Sequence, residues 1–240
     1  MAQLFAGTSG WAYPSWKPDF YPEKLAQKKF LSYYATRLNT VEVNFTFRQL
    51  VKETTLQNWL AETPAHFRFG VKAHQVITHI KRLKATEDFV ARFLASIEPL
   101  AAAAKLGPVL FQLPPNLQAD SVLLKDFLAM LPPTVPAAFE FRHDSWFTDA
   151  TWDLLKSAHR ALCVAETETR TTPDLVTGSF AYYRFRKPTY TGEERRAMVD
   201  RIRQHIAESR NVFAYFKHEE TPQGALYAVE IIEEIAGERP

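Results

Sequence analysis

Short apolar runs that alternate with polar positions recur along this chain, and several of them end in charged residues. The clearest run is Ala137–Phe147, AAFEFRHDSWF. Read with the period of a strand, Phe139 and Phe141 point to one face. Glu140 and Arg142 then share the other face, where charge is costly to bury unless it is paired or used. The pattern predicts a buried strand whose carboxyl end delivers charge into a site.

Seven further apolar runs predict strands, and segments with helical periodicity or helix end signals separate nearly all of them. The predicted strands are Leu4–Gly7, Thr40–Val43, Phe67–Val71, Val109–Phe111, Ala161–Ala165, Phe180–Phe185 and Asn211–Phe216. The predicted helices are Gln27–Leu38, Thr55–Glu62, Thr86–Leu100 capped by Thr86, Asp120–Leu131, Ala150–His159 capped by Asp149, Glu193–Glu208 and Ala225–Ile235.

Alternating strands and helices predict an α/β fold with parallel pairing. Eight such units in 240 residues fit a closed (β/α)8 barrel of the TIM type, which needs about 250 residues. Thr167–Thr177, after the sixth strand, has no helical period and predicts a connection without a regular helix. We therefore expect one barrel domain over residues 1–240. An open doubly wound sheet is the alternative, although neither GxGxxG nor GxxxxGK[ST] occurs.

Composition adds little to this picture. Hydrophobic residues make up 46% of the chain and charged residues 23%, as in an ordinary globular protein. The net charge of +2 is too small to favour a nucleic-acid or membrane partner. The single cysteine, Cys163, cannot form an intramolecular disulfide, which favours a reducing compartment. No signal peptide or membrane-spanning run is visible, so we expect a cytoplasmic protein.

Candidate site residues follow from the predicted barrel, since reactive groups of such barrels lie at the carboxyl ends of the strands. The polar residues at those ends are Glu42, Asn44, Lys72, Gln112, Glu140, Arg142, Glu166 and Arg184, with Thr8 after the first strand. A salt-bridge network that merely fills one layer of the barrel is the alternative. Buried ion pairs rarely stabilise a protein better than apolar side chains would, so a set of this size favours function.

The residue types in this set permit acid–base chemistry on a polar or anionic substrate. Glu42, Lys72 and Glu140 are the candidate catalytic residues. Lys72, Arg142 and Arg184 are suited to hold a carboxylate or phosphate. The two glutamates, three strands apart, would face each other across the mouth, either as a glycosidase pair or as oxygen ligands of a cation.

Other features have plainer alternatives. Trp11, Tyr13, Trp16 and Trp146 follow the first and fifth strands and could wall a pocket, or could simply pack their loops. No HxH or HExxH motif occurs, so no cofactor is predicted, and a divalent metal ion stays only an alternative. Cys163 is expected to be an inert core thiol. The basic segment Lys72–Lys84 would suit phosphate backbones, but a solvated face is the preferred explanation.

Five motifs in order resemble the YecE-like family, a domain of unknown function with a TIM-barrel fold. They are GTSGWAYPSWKPDFYP, LNTVEVNFTF, FRFGVKAHQVITHIKRL, LGPVLFQLPPN and FEFRHDSWF. The resemblance is close over residues 4–166 and looser beyond. It implies the barrel, and it implies that Glu42, Lys72, Gln112, Glu140 and Arg142 are the polar strand ends of the family. It implies no reaction.

The last third of the chain departs from the pattern of that family. Glu166 stands where an aspartate is usual after the sixth strand. Arg186-Lys187 replace a His-Gly pair after the seventh, and Lys217-His218 replace paired asparagines after the eighth. The departures leave open the part of the site on strands 6 to 8, and whether other family members share its substrate.

Three functional hypotheses result. The first is an enzyme whose acid–base residues at the barrel mouth act on a small polar, anionic or sugar-like substrate. The second is a barrel that binds or processes nucleic acid through Lys72–Lys84 and the loop aromatics. The third is a non-catalytic module that binds a small ligand. The sequence does not indicate an oligomeric state.

Overall fold

A computed structural model describes residues 2–169, 171–217 and 221–237, so His218 lies outside the described residues. Eight parallel strands form a closed barrel in chain order, with the first strand paired to the last. The strands are β1 Leu4–Thr8, β2 Thr40–Val43, β3 Arg68–Lys72, β4 Leu106–Gln112, β5 Ala137–Glu140, β6 Ala161–Glu166, β7 Phe180–Phe185 and β8 Asn211–Phe216. The predicted TIM-type barrel is confirmed.

Helices follow seven of the eight strands. They are α1 Phe30–Arg37, α2 Glu53–Glu62, α3 Glu87–Ala102, α4 Ser121–Met130, α5 Asp149–Ser157, α6 Gly192–Ala207 and α7 Gln223–Gly237. As predicted, the connection from β6 to β7 has no regular helix in its described part, which holds only a bridge between Glu166 and Thr171. Of the helices in the described ranges, none has the length and apolar character needed to cross a bilayer.

Three local predictions need correction. Thr86 precedes α3, but its hydroxyl makes no capping hydrogen bond with the described residues. Thr148, not Asp149, caps α5, because its hydroxyl accepts a hydrogen bond from the Thr151 amide. Asp149 is instead the first helical residue, where its charge complements the helix dipole. Strand β4 begins at Leu106 rather than Val109. Pro108 is tolerated inside it because the register between β3 and β4 shifts there, and an irregularity is where a strand can hold proline.

The strand alternation divides the apolar residues into two layers, as the sequence predicted. Phe111 and Phe139 belong to the layer between the strands and the helices, and their rings stack with centroids 5.2 Å apart. Phe127 of α4 packs edge-on against both rings. A separate, smaller cluster fills the barrel interior and includes Leu110 and Tyr215. The residues that alternate with the outer phenylalanines therefore point into the barrel.

Two buried cations outside the site have a purely structural role. The Lys105 ammonium donates to the Leu60 and Thr63 carbonyls at 2.9 and 2.6 Å, near the end of α2. The Arg160 guanidinium donates to the Leu131 carbonyl at 3.0 Å, and to two further carbonyls that follow α4. Carbonyls at a helix end have no partner within the helix, so these side chains satisfy groups that would otherwise be buried and unpaired.

A glycine fixes the packing inside the barrel and yields the first prediction. A β-carbon on Gly70 of β3 would lie 2.5 Å from the Tyr215 hydroxyl, which is also 2.9 Å from the Thr40 hydroxyl. We expect Gly70→Ala to lower the free energy of unfolding by about 1–3 kcal/mol, the usual cost of overpacking. Gly237→Ala is the control, because nothing lies within 4 Å of its added carbon. Equal urea midpoints for the two variants would contradict the predicted crowding.

Candidate functional site

The carboxyl ends of the strands open into a cavity of about 900 Å³. Its polar lining includes Asn44, Lys72, Gln112, Glu140, Arg142, Asp144, Arg184, Arg186 and Lys217. Parallel strands end at the same edge, and alternate residues on each strand face the barrel axis. The structure therefore brings six of the predicted residues to one cavity, and Glu42 lies directly beneath them.

Glu42 is the best-connected residue of the site. It is fully buried, and its two carboxylate oxygens accept hydrogen bonds from five donor atoms. The Ser9 and Tyr182 hydroxyls each donate at 2.7 Å. The guanidinium of Arg184 donates through Nε at 3.0 Å and through Nη2 at 2.8 Å. This carboxylate is held in one orientation and leaves little room for a further partner.

Arg184 links the two predicted catalytic carboxylates. Its remaining terminal nitrogen, Nη1, donates to Glu140 at 2.6 Å, while the bidentate pair to Glu42 uses the other side of the guanidinium. The side chains of Arg184, Glu42 and Glu140 are 7%, 0% and 6% exposed. Removing one member of such a buried network leaves the others with unpaired charge.

An amide connects Glu140 to the lysine at the end of β3. The Gln112 side-chain nitrogen donates to the Glu140 carboxylate oxygens at 2.8 and 2.9 Å. Its oxygen accepts a hydrogen bond of 2.8 Å from the Lys72 ammonium. Gln112 thus fixes both charged groups while keeping them apart.

The two carboxylates remain ionised at neutral pH. Burial by itself would raise the pKa of Glu42, but the charges of Arg184 and Arg186 outweigh it and hold the pKa well below its usual range. At Glu140, burial is likewise opposed by Arg184 and by the Gln112 hydrogen bond, and the pKa is lowered. Neither group is protonated near pH 7, so neither is poised as a general acid.

Lys72 differs from every other charged group in this network. Among the described residues its ammonium contacts the Gln112 oxygen and the ring of Phe47, 4.1 Å from the centroid, and no carboxylate. Burial, together with the nearby charge of Arg184, lowers its pKa to about 8 against the opposing pull of Glu42 and Glu140. The Phe47 face favours the charged form and limits the shift. Lys72 therefore titrates close to neutral pH.

Arg186 and Asn44 supply unused polar atoms to the site. Within the described residues only Nη2 of Arg186 is engaged, by Ser9 at 2.6 Å and Glu42 at 3.2 Å. Burial and the nearby Arg184 lower the pKa of its guanidinium. The side-chain oxygen of Asn44 is buried with no hydrogen-bond partner in this part of the chain. Both residues offer groups that a ligand can pair.

The structure places several predicted substrate-binding residues elsewhere. Trp16 and Trp146 are fully buried in the hydrophobic core, where Trp146 donates to the Leu117 carbonyl at 2.8 Å. Trp11 and Tyr13 are partly buried against the same core. None of these four rings lines the cavity, because burying an aromatic face is worth more than exposing it.

Two polar residues that were predicted to bind substrate, Thr8 and Glu166, also lie outside the cavity lining. Thr8 is buried and hydrogen-bonds the Tyr34 hydroxyl at 2.9 Å and the Gly10 carbonyl at 2.7 Å. Glu166 forms a 2.7 Å ion pair with Lys187 beside the mouth. Both residues support the loops around the cavity.

Two further alternatives from the sequence analysis were a divalent metal ion and a phosphate-binding role for the basic segment Lys72–Lys84. No group of three His, Cys, Asp or Glu side chains that could hold a metal ion occurs in the described ranges. Glu42 and Glu140, the oxygen ligands considered for a cation, already share the positive charge of Arg184. Among the basic residues of Lys72–Lys84, only Lys72 itself lines the cavity.

The candidate site residues chosen from the sequence omitted three members of this network, Ser9, Tyr182 and Arg186, and also Lys217, which lines the cavity. The sequence did contain a pattern that indicates Tyr182 and Arg186. Both are at alternate positions with Arg184 along β7 and directly after it, so the three side chains face the same side. Ser9 and Lys217 follow β1 and β8, which are neighbours only because the barrel closes.

The comparisons with known proteins agree with this architecture. A sequence profile described as "Protein of unknown function DUF72" matches residues 5–240. The chain belongs to the DUF72 family. The UPF0759 protein YunF of Bacillus subtilis is 29% identical over 164 residues, 66% of this chain and 57% of that protein. The UPF0759 protein YecE of Escherichia coli K12 is 30% identical over 145 residues, 60% and 50% of the two chains. The predicted resemblance to the YecE-like family is confirmed.

The matched part of this DUF72 chain spans about half the length of those two relatives. Solved structures match it over nearly its whole length. A DUF72 protein from Thermotoga maritima superposes with a TM-score of 0.87 at 25% identity, covering 98% of this chain and all of that one. A DUF72 protein from Enterococcus faecalis gives 0.78 at 17% identity, which shows the shared fold.

The buried network yields the second prediction. Glu42→Gln leaves the two arginines without a charged partner on that side, and we expect it to lower the free energy of unfolding by about 3–5 kcal/mol. Asp153→Asn is the matched control, because it breaks an ion pair with Lys156 whose side chains are 76% and 55% exposed. That change should cost less than about 1 kcal/mol in urea titrations. A loss for Glu42→Gln as small as the control's would show that the network contributes little.

Proposed function

We propose that this DUF72 protein is an enzyme whose barrel mouth binds a small anionic substrate, with Lys72 as its acid–base group. The observation that carries the proposal is the unequal pairing of charge in the cavity. Glu42 and Glu140 are both paired with Arg184 below, whereas Lys72 faces the cavity without a carboxylate partner among the described residues. A partly buried amine without a carboxylate partner is costly to keep unless it is used.

Electrostatics favour an anionic ligand. Five basic side chains line the cavity, namely Lys72, Arg142, Arg184, Arg186 and Lys217, against Glu140 and Asp144. Even with Glu42 counted beneath them, positive charge is in excess. Guanidinium groups donate strong charge-assisted hydrogen bonds to carboxylates and phosphates, and Nε and Nη1 of Arg186 have no partner among the described residues. Arg186 is also one of the positions where the chain departs from the family pattern.

The geometry supports a division of labour among the three predicted catalytic residues. A glycosidase pair needs one carboxyl group that is protonated at working pH. Here the pKa values of both Glu42 and Glu140 are lowered. We assign them the task of holding Arg184 and Gln112, and through these Lys72. With a pKa of about 8, Lys72 can both take and return a proton near neutral pH.

The size of the cavity supports a small molecule over a polymer. About 900 Å³ lies within the range usual for small-ligand sites. A non-catalytic binding module would share this geometry, and only turnover separates it from an enzyme.

The third prediction tests the anionic substrate. Sulfate, phosphate and small carboxylates or phosphate esters should raise the thermal midpoint more than neutral polyols of the same size, because ligands stabilise the native state by mass action. Arg186→Met should remove most of that shift. Arg196→Met is the control, since Arg196 is exposed on α6 and does not line the cavity. Equal shifts with anions and neutral polyols, or equal shifts in the two variants, would contradict the proposed substrate class.

The fourth prediction concerns Lys72 and pH. Its pKa is lowered from 10.5 to about 8 in the folded protein, so the unfolded chain binds more protons between those values. The wild type should therefore gain stability relative to Lys72→Met as pH rises from about 8 to 10.5, because the buried amine loses its charge. Unfolding by urea at several pH values measures the difference. A difference independent of pH would show that Lys72 titrates normally.

A further inference from the structure

We propose that Lys72 is a nucleophile that forms an imine with its substrate, so the substrate is a small aldehyde or ketone bearing an anionic group. The inference deepens the proposed function and rests on it for the anionic group. It starts from how the amine is held.

The partner of Lys72 suits a nucleophilic amine better than an ion-pairing one. Lys187, near the same rim, pairs with Glu166 at 2.7 Å and with Glu194 at 2.9 Å. Lys72 instead donates one hydrogen bond to a neutral amide oxygen, that of Gln112. A neutral amine can make that same bond with one N–H and keep its lone pair for a ligand in the cavity.

The surroundings of the amine also favour its uncharged form. Burial of the amine and two cations in the same cavity, Arg184 and Arg186, disfavour a positive charge on it. Together they outweigh the Phe47 ring, whose centroid lies 4.1 Å from the amine and which favours the charged form. Desolvation and a neighbouring cation are the two ways in which a lysine becomes nucleophilic near neutral pH. The pKa of about 8 agrees with this arrangement.

The covalent step needs no reagent beyond amine and carbonyl. The lone pair of Lys72 forms a bond to the carbonyl carbon, and the carbonyl electron pair moves to oxygen. The two amine protons end on that oxygen, which leaves as water when the carbon–nitrogen double bond forms. Arg142 and Arg186 line the same cavity and would hold the anionic group while this happens.

The apolar face of Phe47 supports the second half of this step. Loss of water from the first adduct is favoured where bulk water is excluded. A lysine that served only to hold an anion would remain protonated, and a hydride reagent would trap it no faster than an exposed lysine. The two roles can therefore be separated by chemistry.

Reductive trapping tests the inference. The full chain is incubated near pH 7 with glyoxylate, an anionic aldehyde, or with acetaldehyde, a neutral one, in the presence of cyanoborohydride. Peptide mass spectrometry then gives the rate of adduct formation at each lysine. We expect glyoxylate to label Lys72 at least about tenfold faster than exposed lysines, because a pKa lower by two units or more leaves far more free amine. Acetaldehyde should show a smaller preference.

Two variants control the experiment. Lys72→Arg keeps the positive charge but cannot form the imine, so labelling should fall to the surface background while sulfate still raises the thermal midpoint. Lys156→Met removes an exposed lysine of α5 and should leave labelling of Lys72 unchanged.

The outcomes separate this inference from the proposed function. Labelling of Lys72 at the rate of surface lysines, in a protein that anions stabilise, would overturn the imine and leave the anionic substrate standing. Fast labelling of Lys72 by both aldehydes, in a protein that anions do not stabilise, would support the imine and overturn the anionic substrate.

Discussion

The guanidinium of Arg184, held between two buried carboxylates, is the contact on which the mouth of this barrel depends. It reaches from β7 to Glu42 on β2 and to Glu140 on β5, and so joins strands that are not neighbours in the sheet. Each of the three groups would be costly to bury alone. Together they form a fixed floor under the cavity, with two negative charges against one positive. Four further side chains hydrogen-bond directly to the carboxylates of this floor, namely Ser9, Gln112, Tyr182 and Arg186.

The floor determines the chemistry above it. Because the carboxylates are committed to Arg184, they stay ionised and do not give protons. The neutral side chain of Gln112 joins Glu140 to Lys72 through hydrogen bonds. Lys72 is therefore held in place without a carboxylate partner. A direct carboxylate partner would have raised the pKa of that amine and kept it charged. The cavity thus combines fixed positive charge with one amine that can exist in both forms.

The local sequence pattern was not sufficient to predict where the loop tryptophans Trp16 and Trp146 point. Trp16 and Trp146 stand in the segments that follow the carboxyl ends of β1 and β5, the usual place for binding residues in such barrels. Their rings turn inward all the same, and Trp146 stacks on Phe141 with centroids 4.8 Å apart. A loop tryptophan can face a ligand or the core. That choice depends on which neighbouring surface is left to cover, and the chain order does not contain that information.

The sequence by itself determined the strands, the helices and the face on which each strand residue lies, because period-2 and period-3.6 patterns are local. It therefore predicted that Glu42, Lys72, Glu140 and their companions would meet at one end of a barrel. Only the tertiary structure decided which of these side chains form ion pairs and hydrogen bonds with one another. Ion pairs and hydrogen bonds across a barrel join residues more than a hundred positions apart, as Arg184 and Glu42 do. Their strength depends on distances that no local pattern fixes, so the separate environment of Lys72 emerged only when the barrel closed.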